Sequence, residues 1–286
     1  CDDAGKPIGD ARAEVQRAIL CFDLAAAEAL TTSGEGQVLP MDLAPLGYGR
    51  TGILRRFPIG PIAAISPFNF PLNLAVHKVA PAIAAGCPIV LKPASQTPTV
   101  ALLLAEIVAR AGWPSTALQV VPAARAAADR LVTDDRCKLL TFTGSASVGW
   151  DMKARAGKKK VTLELGGNAA VVIDDTISET DLCAIIPKLV YGAYSYSGQK
   201  CISIQRIYVD RSLYAEFVDK AVLLTRQFRL PVWLKEGGDG QLTETCAGLI
   251  DPADSPESCA RREIEEEMGL RVEHLQPVFQ AYMSPG

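Results

Sequence analysis

Between residues 62 and 163 the chain alternates five short apolar runs with four helical patterns, and no other feature limits its fold so strongly. The runs are 62–65, 88–91, 118–121, 138–142 and 160–163; the helical patterns cover 71–85, 97–111, 123–132 and 145–156. Gly86 and Gly112 stand where the first two helices must stop, and Pro98 stands where the second begins. Strands joined by single helices run parallel, and a parallel sheet needs helices on both faces. The reading is therefore an α/β, doubly wound parallel-sheet domain. Such sheets bind ligands beyond the carboxyl ends of their strands. Upstream, residues 6–30 read as one helix, with Val15, Ala18, Ile19 and Phe22 spaced near the helical period. Residues 34–58 are turn-rich and read as irregular or edge strand. No internal repeat is visible.

Composition narrows the function classes. The chain has 286 residues, enough for about two domains at roughly 150 residues each. Its net charge of −3 gives no reason to expect nucleic acid, and the run Lys158-Lys159-Lys160 reads as a solvated face. The longest apolar stretch, 79–91, is broken by Pro81, Gly86 and Pro88, so no membrane span is expected. The chain opens Cys1-Asp2-Asp3 without a basic-then-apolar leader, which reads as a fragment edge. Eight dispersed cysteines with no Cys-x-x-Cys pair argue against a disulfide framework or zinc site and for a reducing, cytoplasmic setting. His77 and His274 are the only histidines, and neither has a triad-like context.

Several residues could carry chemistry. Thr143-Gly144-Ser145 ends a strand and opens a helix, where backbone N–H groups and the helix dipole suit a pyrophosphate, although small residues begin many helices. Lys92 stands at a strand's carboxyl end, within reach of a ribose hydroxyl or phosphate, or simply of solvent. Cys201 follows Gly198 closely and is either a nucleophile or a small buried hydrophobe.

Taken together, Pro67-Phe68-Asn69-Phe70-Pro71, Lys92-Pro93-Ala94, Phe142-Thr143-Gly144-Ser145, Glu164-Leu165-Gly166-Gly167 and Gly198-Gln199-Lys200-Cys201 resemble the motifs of the aldehyde dehydrogenase superfamily, in family order, from about residue 4 to about residue 220. The resemblance implies NAD(P)-dependent oxidation of a small-molecule aldehyde to a carboxylic acid. Cys201 would be the thiolate nucleophile, Asn69 an oxyanion donor together with the backbone N–H of Cys201, and Glu164 the general base. Lys92 would bind the adenosine ribose, Gly144 and Ser145 the pyrophosphate, and Gly166 and Gly167 would allow close approach near the nicotinamide. Ser95 occupies the position where many NAD-preferring members carry a Glu that repels a 2′-phosphate, so NADP should be tolerated as well as NAD. A homo-oligomer is the family expectation, but the family's Glu-x-Phe-Gly-Pro segment, substrate loops and oligomerisation strands do not follow Lys220.

The sequence changes character there. Ser255 and Pro256 open an acidic helix that Gly269 closes, with Glu263, Glu266 and Glu267 on one face. Three such carboxylates either form a solvated acidic face, paired with Arg261 and Arg262, or hold Mg²⁺. Gly248, Asp254, Arg262-Glu263-Ile264, Glu266-Glu267 and Gly269-Leu270 resemble the Nudix box, with Asp254 where that pattern has Glu. This implies a partial Nudix-like segment, with Mg²⁺ activating water against a pyrophosphate. The expected organisation is an NAD(P)-binding domain over 1–165, the start of a dehydrogenase catalytic domain over 166–220, and the Nudix-like segment over 221–286. The join falls inside an expected helix, 214–221, without a linker, and reads as chimeric. Dehydrogenase function impaired by truncation is the leading reading. The rivals are a Nudix-type pyrophosphohydrolase of ADP-ribose or a nucleoside-diphosphate sugar, and a non-catalytic nucleotide-binding fragment.

Overall fold

A computed structural model describes residues 3–32 and 36–227. The chain divides into two compact units, Cys1–Leu165 and Gly166–Gly286. Residues 228–286 of the Nudix-like segment, with Glu263, Glu266 and Glu267, lie outside the described residues.

The first unit is built on β3 (Ile62–Ile65), β4 (Ile89–Lys92), β5 (Leu118–Val120), β6 (Leu139–Gly144) and β7 (Lys160–Leu165), preceded by the hairpin strands β1 (Gln37–Pro40) and β2 (Thr51–Leu54). The five strands form one parallel sheet in the order β5-β4-β3-β6-β7. The helices are α1 (Ile8–Thr32), α2 (Asn73–Ala84), α3 (Thr99–Arg110), α4 (Arg125–Thr133) and α5 (Ala146–Arg155). Side chains alternate across the sheet. Ile62 and Ala64 join α1, α2 and α3 in one core; Ala63 and Ile65 join α4 and α5 in the other, with Leu140, Phe142 and Met152. All four residues of β3 are therefore buried, as a central strand covered on both faces requires. This is the doubly wound α/β fold. Among the described residues no helix is long and apolar enough to cross a membrane.

The 34–58 stretch, expected as irregular or edge strand, contains the antiparallel pair β1–β2, whose residues, apart from Gly52, are exposed. One local reading changes. In α1 the inward stripe is not led by Val15 and Ile19, which are exposed. Glu14, Ala18, Cys21, Phe22 and Ala25 face inward instead, a 3.6-residue stripe rotated by one position. A Glu heads that stripe because Lys6, 4% exposed, meets it with its ammonium 2.5 Å from Glu14 Oε2.

The second unit contains β8 (Ala169–Ile173), α6 (Glu179–Tyr194), β9 (Ile204–Val209) and α7 (Tyr214–Gln227), with β8 and β9 parallel. Ser178 caps α6 by accepting the Asp181 N–H at 3.1 Å. Helix α7 runs unbroken through Lys220 to Gln227. Phe217, Val218, Ala221 and Leu224 pack into the unit's core around Ile173, Leu182 and Ile186, so the apolar stripe continues past the point where the sequence changes character.

Candidate functional site

The sheet's strand order reverses between β3 and β6, and the carboxyl ends of those strands are where a doubly wound sheet offers a crevice. Register aligns Ile65 with Lys92 and with Phe142, and then Thr143 with Glu164 and Gly144 with Leu165. Hence Asn69, Lys92, Ser95, Gly144, Ser145 and Glu164, which sequence reasoning singled out one by one, all end or follow strands at a single edge of one sheet. The fold brings this half of the expected site together. Gly166, Gly167 and Cys201 belong to the second unit.

Gly144 is fixed by packing. A Cβ there would come within 2.5 Å of the Phe142 ring, so only glycine lets β6 turn into α5 at this point. Gly149, one turn into α5, would bring a Cβ within 2.5 Å of Leu165 Cδ2, so the helix lies tight against β7. Ser145 takes the N-cap position with extended backbone and makes no side-chain cap, leaving the first turn of α5 to present backbone donors. Ser95 is exposed, and burial holds the half-buried Lys92 ammonium below its usual range. Ser66 Oγ, just past β3, and Thr97 Oγ1, just past the Lys92 segment, are buried without a hydrogen-bond partner within the protein. Each keeps hydrogen-bonding capacity for a polar group from outside the chain.

Asn69 is half-buried in the loop from β3 to α2. Its Oδ1 accepts the Phe70 N–H at 3.0 Å, which sets the carboxamide with its NH₂ as the donor end.

Lys78 was not legible as a site residue. It sits inside α2, 5% exposed, and its ammonium donates to Thr143 Oγ1 at 2.7 Å and to Thr141 Oγ1 at 3.2 Å. Burial pushes Lys78 down to about 8, and the Glu164 carboxylate partly opposes that fall. The folded value therefore lies below the ordinary value near 10.5. Between these two pH values the unfolded chain holds a proton that the folded chain has released, so stability should rise with pH across that window. Below pH 8 folding must bury the charge. Lys78→Met is expected to flatten this rise and to add on the order of 2 kcal/mol at pH 7. Urea denaturation at pH 7 and pH 10 checks it; an unchanged slope in the variant would contradict the assignment.

In the second unit the segment before Cys201 is a tight left-handed turn. Tyr196 (φ 56°), Ser197 (φ 55°) and Gly198 (φ 72°) follow one another in that region. Two non-glycine residues there cost on the order of 1 kcal/mol or more each. Buried Tyr196 and the bonds Gln199 N–H to Tyr196 O (3.0 Å) and Lys200 N–H to Gly198 O (2.7 Å) hold the turn. Lys200 reaches back to Ser195 Oγ at 2.8 Å, and Ser203 Oγ donates to Ala193 O at 2.9 Å. The turn presents Cys201 exposed, as a free thiol. A Cβ on Gly167 would stand 3.0 Å from the Cys201 carbonyl oxygen, so Gly167 is brought against the cysteine backbone; around Gly166 there is open space. Among the described residues no cluster of His, Cys, Asp and Glu could hold a metal.

Residues 1–237 match the aldehyde dehydrogenase family, and residues 213–285 match the NUDIX domain. A 3-sulfolactaldehyde dehydrogenase of Priestia aryabhattai is 41% identical over 219 residues, covering 76% of this chain and 45% of the relative. Among solved structures, aldehyde dehydrogenase 21 of Physcomitrella patens, in complex with the reaction product succinate, superposes with a TM-score of 0.73 at 48% identity, covering 80% of this chain and 47% of that one. The NADP-dependent glyceraldehyde-3-phosphate dehydrogenase of Bacillus halodurans, complexed with NADP, gives 0.75 at 34% identity, covering 80% and 48%. The chain thus spans about half the length of the relatives it matches.

Proposed function

The chain belongs to the aldehyde dehydrogenase family, and on that premise we propose that it oxidises a small aldehyde to a carboxylic acid through a thioester on Cys201, with NAD or NADP held at the carboxyl edge of the five-stranded sheet. The observation that carries this reading is the parallel register that ends Lys92, Gly144 and Glu164 at one edge, with Asn69, Ser95 and Ser145 in the segments that follow those strands.

The Cys201 thiolate adds to the aldehyde carbon, and the carbonyl electron pair moves onto oxygen. Asn69 Nδ2 and the Cys201 N–H donate to that oxyanion. NAD(P), when bound, supplies the hydride acceptor. Lys92 and Ser95 would hold its adenosine ribose, and Gly144 and Ser145 its pyrophosphate. The glycine edge at Gly144, the uncapped first turn of α5 and the partnerless hydroxyls of Ser66 and Thr97 all fit such a group. Gly166 and Gly167 would allow close approach near the nicotinamide, and Gly167 lies against the Cys201 carbonyl. Glu164 removes a proton from the water that hydrolyses the thioester, which frees the acid and restores the thiol. The mechanism needs Cys201 reduced, which suits a cytoplasmic setting.

The test is aldehyde-dependent reduction of NADP or NAD, followed by absorbance of the reduced nicotinamide. Slow turnover is expected; its complete absence with every small aldehyde would count against the reading. Ser95 adds a sharper expectation. With no carboxylate at this position NADP should bind about as tightly as NAD, and Ser95→Glu should lower NADP affinity at least about tenfold while sparing NAD. Calorimetry decides it: a strong NAD preference in the unaltered chain contradicts the Ser95 argument.

The NUDIX match favours a second reading for the carboxyl-terminal segment, in which Glu263, Glu266 and Glu267 bind Mg²⁺ for pyrophosphate hydrolysis. Mg²⁺-dependent cleavage of ADP-ribose, lost in Glu266→Gln, would establish it.

A further inference from the structure

Helix α2 begins without a local cap. Its N-cap residue is Leu72, whose side chain can accept nothing, so the first backbone N–H groups need an outside acceptor. Glu14 supplies one from α1, far upstream in the sequence. Its Oε1 accepts the N–H of Leu72 at 2.9 Å and that of Asn73 at 3.0 Å. Its Oε2 takes the Lys6 ammonium at 2.5 Å, and the same ammonium lies 3.8 Å from the centre of the Phe70 ring. Both charged groups are almost wholly buried, with side-chain exposures of 2% and 5%. The far end of the loop is held separately, by Ser66 N–H to Lys92 O at 3.1 Å. Between these anchors lies Asn69, flanked by two conformationally restricted residues, Pro67 and Pro71.

We infer that Lys6 and Glu14 form a positioning brace for Asn69: the pair fixes Phe70, Leu72 and Asn73 so that the Asn69 carboxamide is aimed before substrate arrives. The inference rests on the oxyanion role proposed for Asn69. A merely stabilising pair would need only to neutralise its own charges. This one does more: Oε1 takes the backbone N–H groups of Leu72 and Asn73, Oε2 holds the Lys6 ammonium against the Phe70 ring, and the buried charge sits at a helix amino end, where the dipole strengthens it.

The test separates oxyanion stabilisation from thiol access, using the full chain. Acylation of Cys201 by p-nitrophenyl acetate passes through a tetrahedral oxyanion: the thiolate adds to the ester carbonyl, and nitrophenolate leaves as the carbonyl reforms. Alkylation by iodoacetamide displaces iodide directly and forms no oxyanion. Glu14→Gln keeps an acceptor oxygen but loses the charge, and it should slow acylation roughly tenfold while leaving alkylation unchanged. The double variant Lys6→Met/Glu14→Gln removes both buried charges together. It should recover the stability of the unaltered chain in urea yet still acylate slowly. A double variant that acylates as fast as the unaltered chain would overturn the brace. If Asn69→Ala slows acylation and the Glu14 variants do not, the brace alone is wrong. If Asn69→Ala also has no effect, the oxyanion reading falls and takes the brace with it.

Discussion

Replacing Cys201 with Ala is expected to abolish aldehyde-dependent reduction of NAD(P) entirely while leaving cofactor binding intact. The loss should be total because, in the proposed mechanism, the sulfur forms the covalent bond, and no other described cysteine lies in the Gly-Gln-Lys-Cys motif. Cys87 and Cys137 are buried, and burial raises the thiols of Cys21 and Cys137, which disfavours their thiolates. Cys183 is exposed and its sulfur accepts the Lys220 ammonium at 2.9 Å on the α6–α7 surface, which makes it the one competing thiol among the described cysteines, but it lies inside helix α6 and outside the Gly-Gln-Lys-Cys motif. The substitution removes little apolar contact, because Cys201 is exposed, so the fold should be unaffected. Calorimetry with ADP-ribose and a urea melt serve as controls. Residual aldehyde oxidation in Cys201→Ala would mean that another group is the nucleophile.

The second large effect belongs to Asn69. Removing one preorganised donor from a developing oxyanion typically costs about 100- to 1,000-fold in rate. Asn69→Ala should therefore cut Cys201 acylation by about that factor, with alkylation by iodoacetamide unchanged. The orientation of the carboxamide supports the proposed role. The Phe70 N–H holds Asn69 Oδ1, so the carboxamide cannot flip to present its oxygen without breaking a 3.0 Å hydrogen bond. Asn69→Asp is the informative companion. It keeps the accepting oxygen for Phe70 but would set a negative charge against the oxyanion, and it should be at least as damaging as alanine. A fall of less than about threefold in both variants would remove Asn69 from the mechanism, because the typical loss is far larger.

How much of this could be read from the chain depends on which forces act locally. The alternation of β3 to β7 with α2 to α5 was legible because each strand is short, apolar and bounded by Gly or Pro, and because sheet periodicity dictates which residues face each core. The residues at the carboxyl edge were legible for the same reason: a loop that follows a parallel strand has only one end of the sheet to occupy. Gly167 and Gly166 could not be told apart in sequence; only the approach of the Cys201 carbonyl distinguishes them. Glu14 was not singled out because an isolated Glu on a helix is ordinarily solvated, and nothing local reveals that α2 starts at a leucine and needs a remote acceptor. Lys78 escaped notice because its partners, Thr141 and Thr143, are about sixty residues away on β6. The continuation of α7 past Lys220 rests on the spacing of Phe217, Ala221 and Leu224, a stripe that a change in sequence character at that point obscures.

The central claim is that Cys201 forms an acyl intermediate stabilised by Asn69. Its most direct measurement is peptide mass spectrometry of the full chain after brief exposure to p-nitrophenyl acetate. The account predicts a single acetyl group on the Cys201 peptide, absent in Cys201→Ala and slow to appear in Asn69→Ala. Acetylation that leads at Cys183 or spreads evenly over the cysteines, with Cys201 no faster than the rest, would contradict it.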